Sequence, residues 1–246
     1  MGGLMAFDLD GTLTQHKTPL EQENRCVLDE LRGRGWSLLM VGAGQCTRIF
    51  EQMGRYPVDV IGNYGMQYSR YDAATGRLIP VFDRTAPCNR REIRRRVAGL
   101  RERFGFEAFC GESVEFHPSG CVTFPLLGTC AAQADKLAFD PDRSRRRRIY
   151  AEVAACFPEY TVFVGGSSSF DMAPRPYDKR YALAEYCAAR GLPHSRVVFV
   201  GDDYGLGGND EAVYRSDFRF VKIDDYRRLR EALGAWLSGG AGERSF

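Results

Sequence analysis

Residues 4–14, LMAFDLDGTLT, constrain the fold of this chain more than any other stretch. An apolar run that ends in Asp8, with a second carboxylate at Asp10 and a Gly-Thr turn after it, is typical of a buried parallel strand that leads into a polar turn. In open α/β sheets, ligands bind beyond the carboxyl ends of such strands. The pattern therefore predicts an α/β fold with a ligand site at the end of the first strand.

The carboxylates of Asp8 and Asp10 predict a cation and a phosphate as ligands. Carboxylates two residues apart repel each other unless they share a proton or a cation, and Mg²⁺ prefers one or two carboxylates together with phosphate oxygens. Gly11 lets the backbone approach a ligand, and Thr12 offers a hydroxyl and an N–H. Asp8 is the candidate nucleophile toward phosphorus, and Asp10 is the candidate general acid and base. A bare D-x-D can also be turn chemistry at a strand end.

Two later segments repeat the arrangement of an apolar strand followed by a polar turn. A second predicted strand leads into the turn formed by Gly42, Ala43 and Gly44. Such a turn before a helix presents backbone N–H groups to an anion. Residues 197–200 form another predicted strand, which brings Asp202 to the same edge of the sheet. Asp202 is therefore a candidate ligand for Mg²⁺.

Four motifs resemble the haloacid dehalogenase (HAD) superfamily of phosphatases and phosphomutases, subclass IIB. They are FDLDGTLT at 7–14, VGAG at 41–44, SFDMAPRPYDKRY at 169–181 and VVFVGDDYGLGGND at 197–210. Together they look most like the eukaryotic-type phosphomannomutases, and the resemblance covers most of the chain. It implies a Rossmann-like core, in which a parallel sheet is flanked by helices, with an inserted α+β cap.

The resemblance also assigns residues to the core site. It implies that the ammonium of Lys179 stabilises the transferring phosphoryl group, and that the backbone carbonyl of Asp10 is a further Mg²⁺ ligand. Asn209 and Asp210 either orient the metal ligands or are turn residues of the Gly-rich loop at 205–208, and we interpret them as orienting partners. The role of Asp203 stays open. In the glycine turn, Gly44 stands where the phosphomannomutases have Ser, so that the contact to a phosphoryl group is expected to come only from backbone N–H groups or from Gln45 or Thr47.

In the cap, Ser169 and Asp171 match the residues of the family that contact a sugar. The cap also departs from the family, because several positions where arginines are expected carry other residues. These positions are His117, either Leu127 or Gly128, and Lys136, together with Lys17 near the first motif. Lys17 and Lys136 remain candidate phosphate-binding residues, but Lys lacks the bidentate fork of Arg.

Composition changes near Asp83, where the alternation of strands and glycine turns ends. Residues 84–172 predict two basic helices, at 90–104 and 143–156, and several short strands, which together make an α+β module. We interpret this module as a cap inserted into a core of residues 1–83 and 173–246. The arginine runs are typical of solvated helix faces, with a basic rim that attracts phosphorylated substrates as the alternative. The Gly-rich tail from Ser238 is expected to fray.

The composition argues against several classes of protein. A formal net charge of +2 is too close to neutral to indicate a nucleic-acid partner, and no apolar run is long enough for a membrane span. Eight cysteines without a C-x-x-C motif indicate reduced thiols and a cytoplasmic location. We expect a small phosphorylated sugar as the partner, and an exposed cap surface could support a homodimer.

Two functions differ only in what attacks the phosphorylated Asp8. A sugar hydroxyl attacks in a mutase, which must hold a second phosphate elsewhere, whereas water attacks in a phosphatase. Because the cap lacks the expected arginines, the sequence favours a Mg²⁺-dependent sugar-phosphate phosphatase. A phosphomannomutase or phosphoglucomutase is the alternative, and a non-catalytic phosphate-binding regulatory protein is the third hypothesis.

Overall fold

The computed structural model describes residues 3–238, and its contacts divide the chain into two units. Unit 1 contains the described residues up to Asp83, together with Lys179–Tyr204 and those from Asp210 onward. Unit 2 contains Arg84–Asp178 and Gly205–Asn209. The tail that we expect to fray lies outside the described residues after Ser238.

Strands and helices alternate in the first part of the chain and again near its end. The strands are β1 (Leu4–Phe7), β2 (Ser37–Val41), β3 (Asp59–Gly62), β4 (Gln67–Asp72), β5 (Arg77–Asp83), β6 (Glu115–Phe116), β7 (Val122–Pro125), β8 (Tyr160–Phe163), β9 (Ser169–Pro174), β10 (Val197–Gly201) and β11 (Arg219–Lys222). The helices are α1 (Gln22–Gly33), α2 (Cys46–Gln52), α3 (Arg90–Phe104), α4 (Gln133–Phe139), α5 (Ser144–Cys156), α6 (Lys179–Ala188), α7 (Glu211–Tyr214), α8 (Leu229–Ala232) and α9 (Gly234–Leu237). Among these helices, none is long and apolar enough to span a membrane.

Unit 1 is built on a seven-stranded sheet in the order β11-β10-β1-β2-β3-β4-β5. The five strands from β11 to β3 are parallel, and helices cover both faces of the sheet. On β1, the side chains of Met5 and Phe7 pack in the core that contains α1 and α2, while Leu4 and Ala6 pack in the core that contains α6. This two-sided burial explains why the strand is continuously apolar, and the α/β prediction is confirmed.

An antiparallel hairpin of β4 and β5 extends this sheet at one edge and is absent from the sequence prediction. Its strands carry little apolar alternation, because β4 reads QYSRYD and β5 is mostly exposed. A polar contact helps to anchor it, since the Tyr68 hydroxyl donates to the Asp59 carboxylate at 2.7 Å. Pro80 cannot donate to another strand, which suits an edge position.

Unit 2 is built on a four-stranded antiparallel sheet in the order β6-β7-β9-β8. Phe124 and Phe170 pair across β7 and β9 and belong to an apolar core that also contains Val97 of α3 and Val153 of α5. Thr123 and Asp171 pair on the opposite face of the same strands. Helices on one face and polar side chains on the other match the α+β module that the sequence predicts, although α4 is an additional helix.

The division of the chain differs from the predicted boundaries at two places. Ala173 and Pro174 continue β9 and pair with Thr161 and Tyr160 of β8, so residues 173–178 belong to unit 2 rather than to the core. Gly205–Asn209 also belongs to unit 2, where the Val164 N–H donates to the Gly207 carbonyl at 2.8 Å. Both differences arise from backbone hydrogen bonds, which no side-chain pattern reveals.

Candidate active site

The candidate site of unit 1 lies where β1 and β10 end side by side. Phe7 pairs with Val200, and the Asp8 N–H donates to the Val200 carbonyl at 3.0 Å. Each strand is followed by a carboxylate that projects beyond the sheet. As a result, carboxylate oxygens of Asp8, Asp202 and Asp210 lie within 4.8 Å of one another.

The ammonium of Lys179, at the first residue of α6, lies between two of these carboxylates. Its Nζ is 2.7 Å from Asp8 Oδ1 and 2.7 Å from Asp210 Oδ1, and the side chain is fully buried. Burial lowers the pKa of Lys179, but the nearby carboxylates raise it by more, so the net pKa lies above its usual value. Burial raises the pKa of Asp8 to about 6, although Lys179 acts in the opposite direction. Asp8 is therefore mainly an anion at neutral pH, as a nucleophile requires.

Asp210 acts as an orienting group rather than as a free metal ligand. Its Oδ1 accepts from Lys179, and its Oδ2 accepts from the backbone N–H groups of Asp202 and Asp203 at 3.1 and 3.0 Å. Asp203 thus contributes its backbone to the arrangement. Because Asp210 is satisfied in this way, Asp8 and Asp202 are the carboxylates best suited to hold a divalent cation, and their hard oxygen donors fit such an ion.

The loop after β1 is shaped around the Asp202 carboxylate. Gly11 has φ +94°, and a Cβ at this position would lie 2.4 Å from Asp202 Oδ2, so only glycine fits. The Thr12 hydroxyl donates to Asp202 Oδ1 at 3.0 Å, and its N–H donates to the Leu9 carbonyl at 3.2 Å. Thr12 therefore directs both donors into the loop and toward Asp202, whereas the sequence predicts that they bind a phosphate.

The Asp10 carboxylate points toward α2 and the following loop. It accepts from the Gln52 side-chain amide and from the Lys17 backbone N–H, both at 2.7 Å. Burial raises the pKa of Asp10, but these hydrogen bonds outweigh it and hold the pKa below its usual value. Lys17 makes this contact through its backbone, and its side chain is exposed. The sequence analysis misses Gln52, since a polar residue at the end of a short helix carries no signal of its own.

The glycine turn follows β2 and lies next to Asp8, because β1 and β2 pair in parallel with Phe7 opposite Met40. The Gly42 N–H donates to the Ile61 carbonyl. Between residues 3 and 238, no hydrogen-bond acceptor is found for the N–H groups of Ala43 and Gly44. This arrangement suits the binding of an anion, as the sequence predicts.

A cavity of about 460 Å³ opens beside Gly11 and Asp202. Its volume falls within the range of small-molecule sites. The other lining residues come from the loop after β1 and the segment after β11: Gln15, His16, Ile223, Asp224, Asp225, Tyr226 and Arg227. Of the acidic cluster, Asp202 is therefore accessible to a small ligand from this cavity.

The predicted sugar contacts lie in unit 2, on the polar face of its sheet. The Thr123 hydroxyl donates to Asp171 Oδ1 at 3.0 Å, so it accepts the hydrogen bond from His117, whose Nε2 must carry the proton. The Ser169 hydroxyl donates to the Gly165 carbonyl at 3.1 Å. These contacts make a hydrogen-bonding surface rather than a cationic one.

The other candidate residues of unit 2 are placed differently. The Lys136 ammonium donates to the Thr129 carbonyl at 2.9 Å. The ammonium that we expect to bind phosphate is therefore hydrogen-bonded to the backbone. Asn209 belongs to unit 2 with the segment Gly205–Asn209, whereas Asp210 belongs to unit 1. The two neighbours that the sequence pairs as orienting residues therefore fall in different units.

Comparison with known sequences finds similarity to the phosphomannomutases. The family model described as eukaryotic phosphomannomutase matches residues 108–225. A phosphomannomutase of Saccharomyces cerevisiae is 26% identical over 222 residues, which cover 86% of this chain and 84% of the relative. A phosphomannomutase of Arabidopsis thaliana is 26% identical over 230 residues, which cover 87% and 88%.

Solved structures show a shared fold at low identity. An IMP-nucleotidase mutant of Plasmodium falciparum, bound to IMP, has a TM-score of 0.66 and 12% identity over 96% of this chain and 68% of that chain. A trehalose-6-phosphate phosphatase related protein has a TM-score of 0.51 and 16% identity over 98% and 100%. The chain therefore resembles the eukaryotic phosphomannomutases in sequence and shares the fold of these solved structures, with the acidic cluster and Lys179 at its strand ends.

Proposed function

We propose that this protein is a Mg²⁺-dependent hexose-phosphate mutase that transfers a phosphoryl group through Asp8. The observation that carries the proposal is the similarity to phosphomannomutases over 86% of the chain. The contact between Lys179 and Asp8 at the end of β1 supports it. The sequence pattern alone favours a phosphatase, but the relatives favour the mutase. The substrate class is a hexose 1- or 6-phosphate.

In the first half of the proposed reaction, a carboxylate oxygen of Asp8 attacks phosphorus, and the bond from phosphorus to the sugar oxygen breaks. Asp10, in its protonated form, donates a proton to the leaving oxygen; because its pKa lies below the usual value, this form is a minor one in the free protein. In the second half, Asp10 takes the proton of a sugar hydroxyl, which attacks the phosphorus of the phosphorylated Asp8 and releases the carboxylate. Lys179 stays beside the reacting oxygen and offsets the negative charge that develops there.

Mg²⁺ fits the donor set, with Asp8, Asp202 and the Asp10 carbonyl as the proposed ligands. When bound, it would screen the anionic nucleophile from the phosphoryl group.

We expect that saturating Mg²⁺, at about 100 times its Kd, stabilises the protein by about 2.7 kcal/mol. The measurement is the melting temperature with Mg²⁺ and with a chelator. Asp202→Asn should lose most of this increase. Asp224→Asn is the matched control, because it changes an acid of the same cavity outside the cluster; an equal loss in both variants contradicts the assignment.

The test of the mutase proposal is phosphorus NMR of the protein with Mg²⁺ and mannose 1-phosphate, with and without glucose 1,6-bisphosphate. We expect a 6-phosphate signal that grows faster with the bisphosphate, because the bisphosphate phosphorylates Asp8 and starts the cycle. A conversion rate that does not change when the bisphosphate is added contradicts the proposal. So does the absence of conversion for both glucose and mannose phosphates.

A sugar-phosphate phosphatase is the second candidate, and one feature of unit 2 favours it. A mutase must hold a second phosphate, whereas His117 is engaged with Thr123, and Lys136 with a backbone carbonyl. If inorganic phosphate is the main product in the same experiment, water reaches the phosphorylated Asp8 and this candidate is supported.

A further inference from the structure

We infer that Arg48 is a phosphoryl-binding residue, whose guanidinium contacts the oxygens of the transferring group above the turn at Gly44. The inference rests on the phosphoryl-transfer part of the proposed function and is independent of which sugar is bound. Nothing in the sequence motifs marks Arg48, which lies in the first turn of α2. We infer its role from the position of its guanidinium next to Gly44.

The guanidinium of Arg48 lies where a side chain of residue 44 would project. A Cβ added to Gly44 would lie 2.5 Å from both Nε and one terminal nitrogen of Arg48. At that distance the two groups cannot coexist without displacement. The guanidinium of Arg48 therefore occupies the space that a polar side chain at residue 44 would use.

Two hydrogen-bonding partners orient the guanidinium toward the catalytic groups. One terminal nitrogen of Arg48 donates to Gln52 Oε1 at 3.0 Å, and the other approaches Asp10 Oδ2 at 3.5 Å. Gln52 in turn donates to Asp10 Oδ1 at 2.7 Å. Arg48 is thus tied to the general acid and base, yet its side chain is 44% exposed and keeps donors for a ligand.

The surroundings of Arg48 favour a phosphate as that ligand. The unbonded N–H groups of Ala43 and Gly44 are part of the same turn, which leaves the sheet beside Asp8. The acidic cluster contains three carboxylates with the single ammonium of Lys179 buried among them. A phosphorylated substrate adds further negative charge, and the guanidinium of Arg48 would offset it on the α2 side, in addition to Lys179 and a Mg²⁺ bound by Asp8 and Asp202. The planar fork of Arg suits bidentate binding of two phosphoryl oxygens.

The test measures phosphate binding and turnover in four variants. These are Arg48→Gln, Gly44→Ser, the double variant Gly44→Ser/Arg48→Gln, and Arg55→Gln. Arg55 is the matched control, because it lies just after α2, is exposed and pairs with Glu51 in solvent. Inorganic phosphate is the binding probe, titrated calorimetrically in the presence of Mg²⁺, and acetyl phosphate is the substrate, since it carries no sugar.

We expect Arg48→Gln to weaken phosphate binding by about 10- to 100-fold, which corresponds to the loss of a charge-assisted bidentate contact. Arg55→Gln should change binding by less than about twofold. In the double variant the Ser hydroxyl enters the vacated space, so binding should recover by about tenfold, the equivalent of one hydrogen bond. Gly44→Ser alone should impair binding, because it displaces the guanidinium.

Equal phosphate affinities for Arg48→Gln and Arg55→Gln would overturn the inference. A strong loss in Arg48→Gln without any recovery in the double variant would overturn the claim that Arg48 acts from the space above Gly44. Failure of the proposed function gives a different result, since the unaltered protein would then neither turn over acetyl phosphate nor convert a hexose phosphate.

Discussion

Asp8→Asn is expected to lower kcat by about 10³- to 10⁶-fold, the range seen when a nucleophile is removed. The amide has nearly the shape of the carboxylate, but it cannot form an acyl phosphate. The fold should survive, because Lys179 keeps its ion pair with Asp210. The measurement is phosphate release from acetyl phosphate, together with trapping of the phosphorylated protein by acid quench.

Asp217→Asn is a suitable control for this experiment, since Asp217 is an exposed carboxylate that contacts His194. It should turn over acetyl phosphate at the rate of the unaltered protein. A phosphorylated species that still forms in Asp8→Asn would show that another residue is the nucleophile, and the role of Asp8 would have to be withdrawn.

Lys179→Met is expected to destabilise the protein by about 3–5 kcal/mol, the cost of leaving buried charges without their partner. Lys179 is fully buried, and its ammonium is the cation between Asp8 and Asp210. Turnover should fall as well, because the charge next to the nucleophile is lost. Urea unfolding monitored by circular dichroism measures the stability, and acetyl phosphate hydrolysis measures the activity.

Lys222→Met is the matched control, because Lys222 lies on the surface over the rings of Tyr204 and Tyr214. Its unfolding midpoint should remain close to that of the unaltered protein. Equal destabilisation in the two variants would mean that the buried ion pairs of Lys179 contribute no more than a surface cation does.

Much of the site follows from the sequence because it is built at strand ends. The apolar runs before Asp8 and Asp202 predict β1 and β10, and two parallel strands that pair in register deliver both carboxylates to one edge. The turn at Gly42 is predictable for the same reason, as it follows β2. The fold class could be predicted as well, since continuous apolar strands alternate with amphipathic helices.

The partners of Asp10 could not be predicted from the sequence. Gln52 and Arg48 lie four residues apart on α2 and therefore share a face of the helix. Whether that face meets Asp10 depends on how the helix packs, which no local pattern records. The β4–β5 hairpin could not be predicted for a related reason. Its strands are held to the sheet by hydrogen bonds such as the one from Tyr68 to Asp59, and not by an apolar pattern.

Unit 2 shows where a positional comparison with a family reaches its limit. Lys136 stands where an arginine is expected, yet its ammonium is engaged with the Thr129 carbonyl. Arg146, within the run that the sequence interprets as a solvated face, is instead buried and pairs with Asp140 at 2.8 Å. It also donates to the carbonyls of Gly165 and Ser169, next to the predicted sugar contacts. The run of arginines on α5 thus includes a buried structural residue, Arg146, which the sequence does not distinguish from its neighbours.

The double contact of Lys179 has a consequence for the energy of the chemical step. In the proposed reaction Asp8 forms a bond to phosphorus, and the charge on its carboxylate changes. A cation paired with Asp8 alone would then lose its partner. Lys179 retains Asp210 throughout, and Asp210 is itself fixed by the N–H groups of Asp202 and Asp203. The ammonium can therefore stay in place while the charge beside it rises and falls. Little reorganisation energy is required, which is the condition under which a fixed charge lowers a barrier most effectively.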